Sequence, residues 1–340
     1  MARTRNARNV VVVSQSAPSC LVRGFAFFAN HGRIRMARGA VVGLGDLCDG
    51  RTVTVKGHID EECAVELRGT LEHLHKHALN VVQSVTVPRV VSCGILSAYK
   101  LRHCGIVVDK DVQEYYQTSN PTLHCVVQEY LPGMTAQSFL LNPDACERVA
   151  RGNVMIEFGV TDWEHSTWPI DDLDDCRMLP GLNFGKSVYA DATERDWTIF
   201  TTADLINSSY ADDERFDPRA FVWTRFICDV LHTVPANDAL DRFASLVLNT
   251  EATKVPAYHS PVEHVRISSD HVIATAIDEL DRSAVVHSMG RKRRRVVVNA
   301  QLAALALVCR SVAAFATACA MDRVFHFDVR LLNCIVKLKE

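Results

Sequence analysis

No Cys-x-x-Cys occurs anywhere in the 340 residues, although the chain carries twelve cysteines. They are scattered from Cys20 to Cys334. That distribution argues against a zinc site or a small disulfide scaffold, and for free, often buried thiols in a reducing compartment. A secretory signal is missing too: the basic start MARTRNAR leads into four valines at 10–13, but polar residues follow at once. Internal repeats and low-complexity tracts are absent. Neither sign of charge is in excess, and a net charge of −3 gives no ground for general nucleic-acid binding.

What is present is a chain long enough to bury a large core in two lobes or domains. It is 48% apolar and 23% charged, the balance of a soluble globular protein. The stretch AQLAALALVCRSVAAFATACA (300–320) has nearly the length of a membrane span. Arg310 at its centre would be costly in lipid and alanine makes it only weakly apolar, so a buried amphipathic helix is expected and no membrane partner. Arg291–Arg295 reads RKRRR, which suits nuclear import, a phosphate-binding patch or a solvated charge run.

Along the chain, residues 1–32 read as an amino-terminal tail. Residues 33–56 combine an extended start, Gly39, Gly43 and Gly45, a turn at Asp49-Gly50, and an alternating strand ending at Lys56. Val65, Leu67, Leu71 and Leu74 lie on helical spacing within 60–79, after an acidic first turn. PRVVSCGIL (88–96) and LHCVVQEYL (123–131) read as strands, the second closed by Pro132-Gly133. Further on, 221–234, 239–249 and 271–286 read as helices, and the acidic run 171–175 as a solvated loop. His73 and His77, four apart, offer either a metal pair or a helix-surface cluster, and no acidic or cysteine partner is evident.

The motif with the most chemistry is FHFDVRLLNCIVK (325–337), where His326, Asp328 and Asn333 stand between apolar stretches. Taken with the helix before it and the strand after it, this resembles the catalytic loop of the protein kinase superfamily, a His-Arg-Asp followed after four residues by asparagine. The resemblance implies Asp328 as the base that takes the substrate hydroxyl proton and Asn333 as a metal ligand. Phe327 stands where most kinases have arginine, which speaks against control through a phosphorylated activation loop.

Other pieces follow in the family's order. VTVK resembles the strand whose lysine grips the nucleotide phosphates, which makes Lys56 the clamp. Glu66 and Glu72 are both candidates to orient it, and the family's usual separation favours Glu72. ARGAVVGLG departs from the family's glycine pattern. Gly39 fits its middle glycine, Ala37 and Val42 occupy the flanking positions, and Gly43 supplies flexibility one register along. VVQEYLPG resembles the hinge, with Gln128 as gatekeeper, the Glu129 carbonyl and the Leu131 N–H being assigned to adenine.

The implied fold is α+β and protein-kinase-like. An amino-terminal antiparallel sheet lobe with one main helix (33–131) precedes a large insertion or elaborated lower lobe (132–299) and a carboxy-terminal helix with catalytic loop (300–340). ATP and Mg2+ are the implied cofactors, and a protein substrate or partner the implied partner. The long middle region gives the chain more the look of kinases of large DNA viruses, herpesvirus-like ones included, in the host cytoplasm or nucleus. Only seven residues follow Asn333, so the second metal-binding aspartate of Asp-Phe-Gly is expected to be missing. Three readings stay open: a serine/threonine protein kinase or a fragment of one, an inactive pseudokinase or scaffold, and a small-molecule phosphotransferase.

Overall fold

The computed structural model describes residues 10–14, 20–27, 40–47, 49–58, 61–97, 122–152, 154–163, 166–167, 217–249, 267–290, 293–326 and 328–339. The chain is an α+β protein that divides into two compact units. One comprises residues 1–72 and 88–130, the other residues 73–87 and 131–340.

The first unit is a closed, wholly antiparallel sheet. Its strands are β1 (Val10–Ser14), β2 (Cys20–Phe27), β3 (Ala40–Leu47), β4 (Thr52–His58), β5 (Val90–Ser97) and β6 (Thr122–Glu129), in the order β1-β2-β3-β4-β6-β5. Closure comes from β1, which pairs with β2 through Val10–Val12 and with β5 through Val13 and Ser14. Here the structure departs from the amino-terminal tail expected for 1–32. Those valines and the alternating residues of Cys20–Phe27 are β-formers that find partners far along the chain. The turn at Gly50, with φ +85°, joins β3 to β4. On β4, Val53 and Val55 are fully buried, as alternation requires of an inward face.

Helix α1 (Glu61–His77) follows β4. Its buried residues Cys63, Leu67, Thr70, Leu71 and Leu74 recur every three or four positions.

The second unit is mainly helical. Its short elements are α2 (Leu79–Ser84), β7 (Met134–Thr135), α3 (Ala136–Leu140), α4 (Pro143–Ala150), β8 (Met155–Val160) and β9 (Ser166–Thr167). Then come α5 (Pro218–Thr233), α6 (Asp238–Val247), α7 (Asp270–Ser283), the ribbon β10 (Val285–Gly290) with β11 (Arg293–Val298), α8 (Ala300–Asp322), β12 (Phe325–His326) and β13 (Cys334–Lys339).

Helix α8 packs against α2, α4, α5 and α7. Asn299 caps it by accepting the Leu302 N–H, and Arg323, with φ 54°, ends it in the left-handed region. By length and composition α8 is apolar enough to cross a membrane, yet 61% of its most apolar window is buried inside the protein. Arg310 explains itself here: it faces outward and pairs with Asp278 and Asp281 of α7.

One three-stranded antiparallel sheet positions the site, in the order β7-β13-β8. Its central strand β13 aligns with β8 from Cys334↔Val160 to Lys339↔Met155, and with β7 through Ile335 and Val336. Residues 132–299, expected as a large insertion or an elaborated lower lobe, supply both neighbours of β13 in this sheet. Gly133, with φ 147°, is needed where the chain enters β7, because a Cβ there would lie 2.5 Å from the Val336 carbonyl oxygen.

Candidate functional site

The loop between β12 and β13 carries the chemistry. Phe325 and His326 pair with Thr167 and Ser166 of β9, which fixes the start of the loop, and β13 fixes its end. Between them the chain turns on itself: the Asn333 and Cys334 N–H groups both donate to the Arg330 carbonyl. Leu331, fully buried, is held at both backbone groups, its N–H donating to the Asp229 carboxylate of α5 at 2.7 Å and its carbonyl accepting from Gln137 N at 3.2 Å.

His326 is completely buried, with the Trp163 ring edge-on at 4.7 Å. Its Nε2 lies 3.2 Å from the Thr161 carbonyl, and its Nδ1 lies 3.2 Å from the Asp328 N–H. A carbonyl only accepts and an N–H only donates, so the ring carries its proton on Nε2 and leaves Nδ1 as acceptor. Neutral His326 thus ties the loop to the segment that follows β8.

That segment holds a residue the sequence reading did not find. Asn333 Nδ2 lies 2.9 Å from the Asp328 carbonyl, 3.0 Å from Asp328 Oδ2 and 3.3 Å from Asp162 Oδ2. The pairing of Cys334 with Val160 accounts for this: the residues just before β13 and just after β8 emerge at the same end of the sheet. Thr161 confirms the juncture by donating both its N–H and its hydroxyl to the Asn333 carbonyl. Asp162 sits at φ 68°, a backbone region that aspartate tolerates better than most residues. Two carboxylates therefore converge on one amide. The sequence signal was an aspartate two positions beyond the apolar run MIEFGV, upstream of the loop rather than downstream.

Charge around the loop is compensated in part. Arg330 Nη2 pairs with Asp328 Oδ2 at 2.5 Å, and Asp328 is only 5% exposed. Burial holds the Asp229 carboxyl above its usual range; the Leu331 N–H and Arg330 oppose this, and the Asp328 charge adds to it. Burial likewise pushes the Cys334 thiol up, so it is an inert core group.

The remaining expected residues lie elsewhere. In the first unit Lys56 is 7% exposed on β4, laddered between Val42 and Val126. Glu72 is exposed and its carboxylate accepts from Arg68 Nε at 2.8 Å, an i,i+4 pair on the outer face of α1. This corrects its role as the lysine orienter. Glu66 lies on the same helix, α1. Gly43 lies within β3, opposite Phe25 and Val55, and is a strand residue rather than part of a phosphate-covering loop. Gly39, Phe327, the acidic run 171–175, and Arg291 with Lys292 fall outside the described residues. Gln128 is buried on β6, and Glu129 closes that strand, exchanging hydrogen bonds with Arg89. Leu131 begins the second unit.

His73 and His77 stack at 4.9 Å, and among the described residues no group of three or more His, Cys, Asp or Glu is placed to hold a metal ion. No protein-family model, curated protein or solved structure matches the chain.

Proposed function

We propose that the chain is a protein-kinase-like phosphotransferase that takes ATP with Mg2+ and a protein hydroxyl as acceptor. The observation that carries this reading is the convergence of Asp328, Asn333 and Asp162. In the family the second metal-binding aspartate follows the loop asparagine by about a dozen residues. Here the pairing of β13 with β8 sets Asp162 beside Asn333, which supports Asp162 as the counterpart of that aspartate. The sheet does through pairing what a hairpin would do through chain order.

The donors fit a hard cation. Mg2+ prefers oxygen, uses one or two carboxylates, and leaves its other positions to phosphates and water. Asp162 and Asn333 would hold it, the amide turning its oxygen to the cation in place of the nitrogen that now faces Asp162, and when bound it would supply neutralisation of the charge that develops on the phosphates.

Asp328 takes the proton of the acceptor hydroxyl as that oxygen attacks the γ-phosphorus. The bond from phosphorus to the β–γ bridging oxygen breaks, and ADP leaves. Arg330 pairs with the Asp328 carboxylate and aims it. Lys56, on β4, is assigned the role of phosphate clamp. Asp162 favours this reading over that of a scaffold lacking its second metal anchor.

The test is thermal unfolding with and without ATP and Mg2+, followed by γ-phosphate transfer to a general protein substrate. The parent is expected to be stabilised by the nucleotide, Lys56→Met to lose that stabilisation, and Asp328→Asn to keep it while losing transfer. A parent indifferent to ATP and Mg2+ would refute the proposal.

A further inference from the structure

Leu331 stands midway between the base and the metal-binding amide, and it is where the loop is bolted to the helices. The turn bonds from Arg330, Asn333 and Cys334 close the loop upon itself but do not anchor it. Asn333, at the end of the loop, is held by Thr161 and Asp162, and Leu331, in its middle, is held through Asp229 on one side and Gln137 on the other. The Asp229 bond is the shorter of the two, at 2.7 Å. A carboxylate accepting from a buried N–H is a charge-assisted bond, stronger and more directional than a neutral one.

Nothing about phosphoryl transfer requires an acid at position 229, whose described hydrogen bond is to the Leu331 N–H. A loop free to shift at Leu331 would change the separation of Asp328 from Asn333. A misplacement of about 1 Å at such a site is enough to cost on the order of a hundredfold in rate.

We propose that Asp229 is a positioning residue: by accepting the Leu331 N–H it sets the spacing of Asp328 and Asn333, and through them the affinity for a divalent cation with ATP. The part concerning affinity rests on the phosphotransfer reading. The part concerning the loop does not.

The experiment compares the full chain with Asp229→Asn, which keeps an oxygen able to accept the N–H, and Asp229→Ala, which removes it. Amide hydrogen exchange without ligand is read at Leu331, with the core amides of α8 as the control for an intact fold. Binding of Mn2+–ATP is then measured on the same three proteins. In Asp229→Ala the Leu331 amide is expected to exchange about tenfold faster or more, with α8 unchanged. Its Mn2+–ATP affinity is expected to fall by about tenfold, while Asp229→Asn stays within about threefold of the parent in both readouts.

Leu331 exchanging equally in all three proteins overturns the anchor. Asp229→Ala binding Mn2+–ATP as tightly as the parent, or Asp229→Asn binding as weakly as Asp229→Ala, overturns the positioning role, the second because charge and not the bond would then matter. A parent that binds no Mn2+–ATP instead overturns the phosphotransfer reading, and the exchange arm still decides whether Asp229 holds the loop.

Discussion

The side-chain amide of Asn333 lies 3.3 Å from the carboxylate of Asp162, a residue 171 positions earlier in the chain. Asp162→Asn is the direct test of that relationship. Asparagine tolerates the left-handed backbone at this position, so the fold is expected to survive. Unfolding without ligand should be unchanged or slightly improved, since one of two carboxylates crowding a single amide is neutralised. Stabilisation by Mg2+–ATP should fall by about 1–3 kcal/mol, read as the difference in thermal midpoint with and without nucleotide. Undiminished stabilisation would remove Asp162 from the site.

His326 makes a separate prediction. Nitrogen NMR of the folded protein should show its proton on Nε2, with Nδ1 unprotonated. His326→Phe keeps the ring contacts with Trp163 and Phe315 but strands the Thr161 carbonyl and the Asp328 N–H. Two buried backbone groups without partners cost about 2–4 kcal/mol together, measurable by denaturant unfolding. A cost below about 0.5 kcal/mol would mean that the two bonds are not made in solution.

Much of the first unit was legible along the chain because its signals are local. Alternation marks the strand ending near Lys56, three-and-four spacing marks α1, and unbroken apolar stretches mark β6 and α8. His326, Asp328 and Asn333 were legible for the same reason, lying within eight residues of one another. What escaped depends on pairing between distant segments. The valines at 10–13 look like a loose tail until β2 and β5 lie beside them. Gly43 looks like loop until β3 is seen laddered on both sides. Asp162 escaped because strand register, not chain order, brings it beside Asn333. Glu72 had the right separation from Lys56, but it faces outward and its partner is Arg68 one turn earlier.

Gly133 and Gly152 allow backbone strain to be separated from collision. Both have positive φ, 147° and 75°, but only at Gly133 would a Cβ strike other atoms, the Val336 carbonyl. Gly152→Ala should cost about 1 kcal/mol, the ordinary penalty for a side chain in that region. Gly133→Ala should cost about 2–4 kcal/mol and loosen β7 from β13. Equal losses in the two variants, by denaturant unfolding, would contradict the close approach of the chain to β13.

Stability should also fall in mild acid because of His73. Burial, followed by the charges of His77 and Lys76, lowers its pKa from 6.5 to about 4. The folded protein therefore keeps the ring neutral while the unfolded chain takes up a proton below pH 6.5. Stability is lost as pH falls from about 6.5 towards 4 and is not lost further below that. Allowing for the ring's partial exposure, the loss is on the order of 1–2 kcal/mol. His73→Gln should flatten this limb in unfolding curves taken from pH 7 to 4. An unchanged slope would assign the acid sensitivity to other groups.

In the first unit, β1 has a neighbour on either side, and so does every other strand of that sheet. Where β1 pairs, the borders of β2 and β5 are taken up and offer no free amides for a foreign chain to zip onto, which lessens the need for the lysines or prolines that guard open borders against fibrous association. Five residues, Val10–Ser14, act as its clasp.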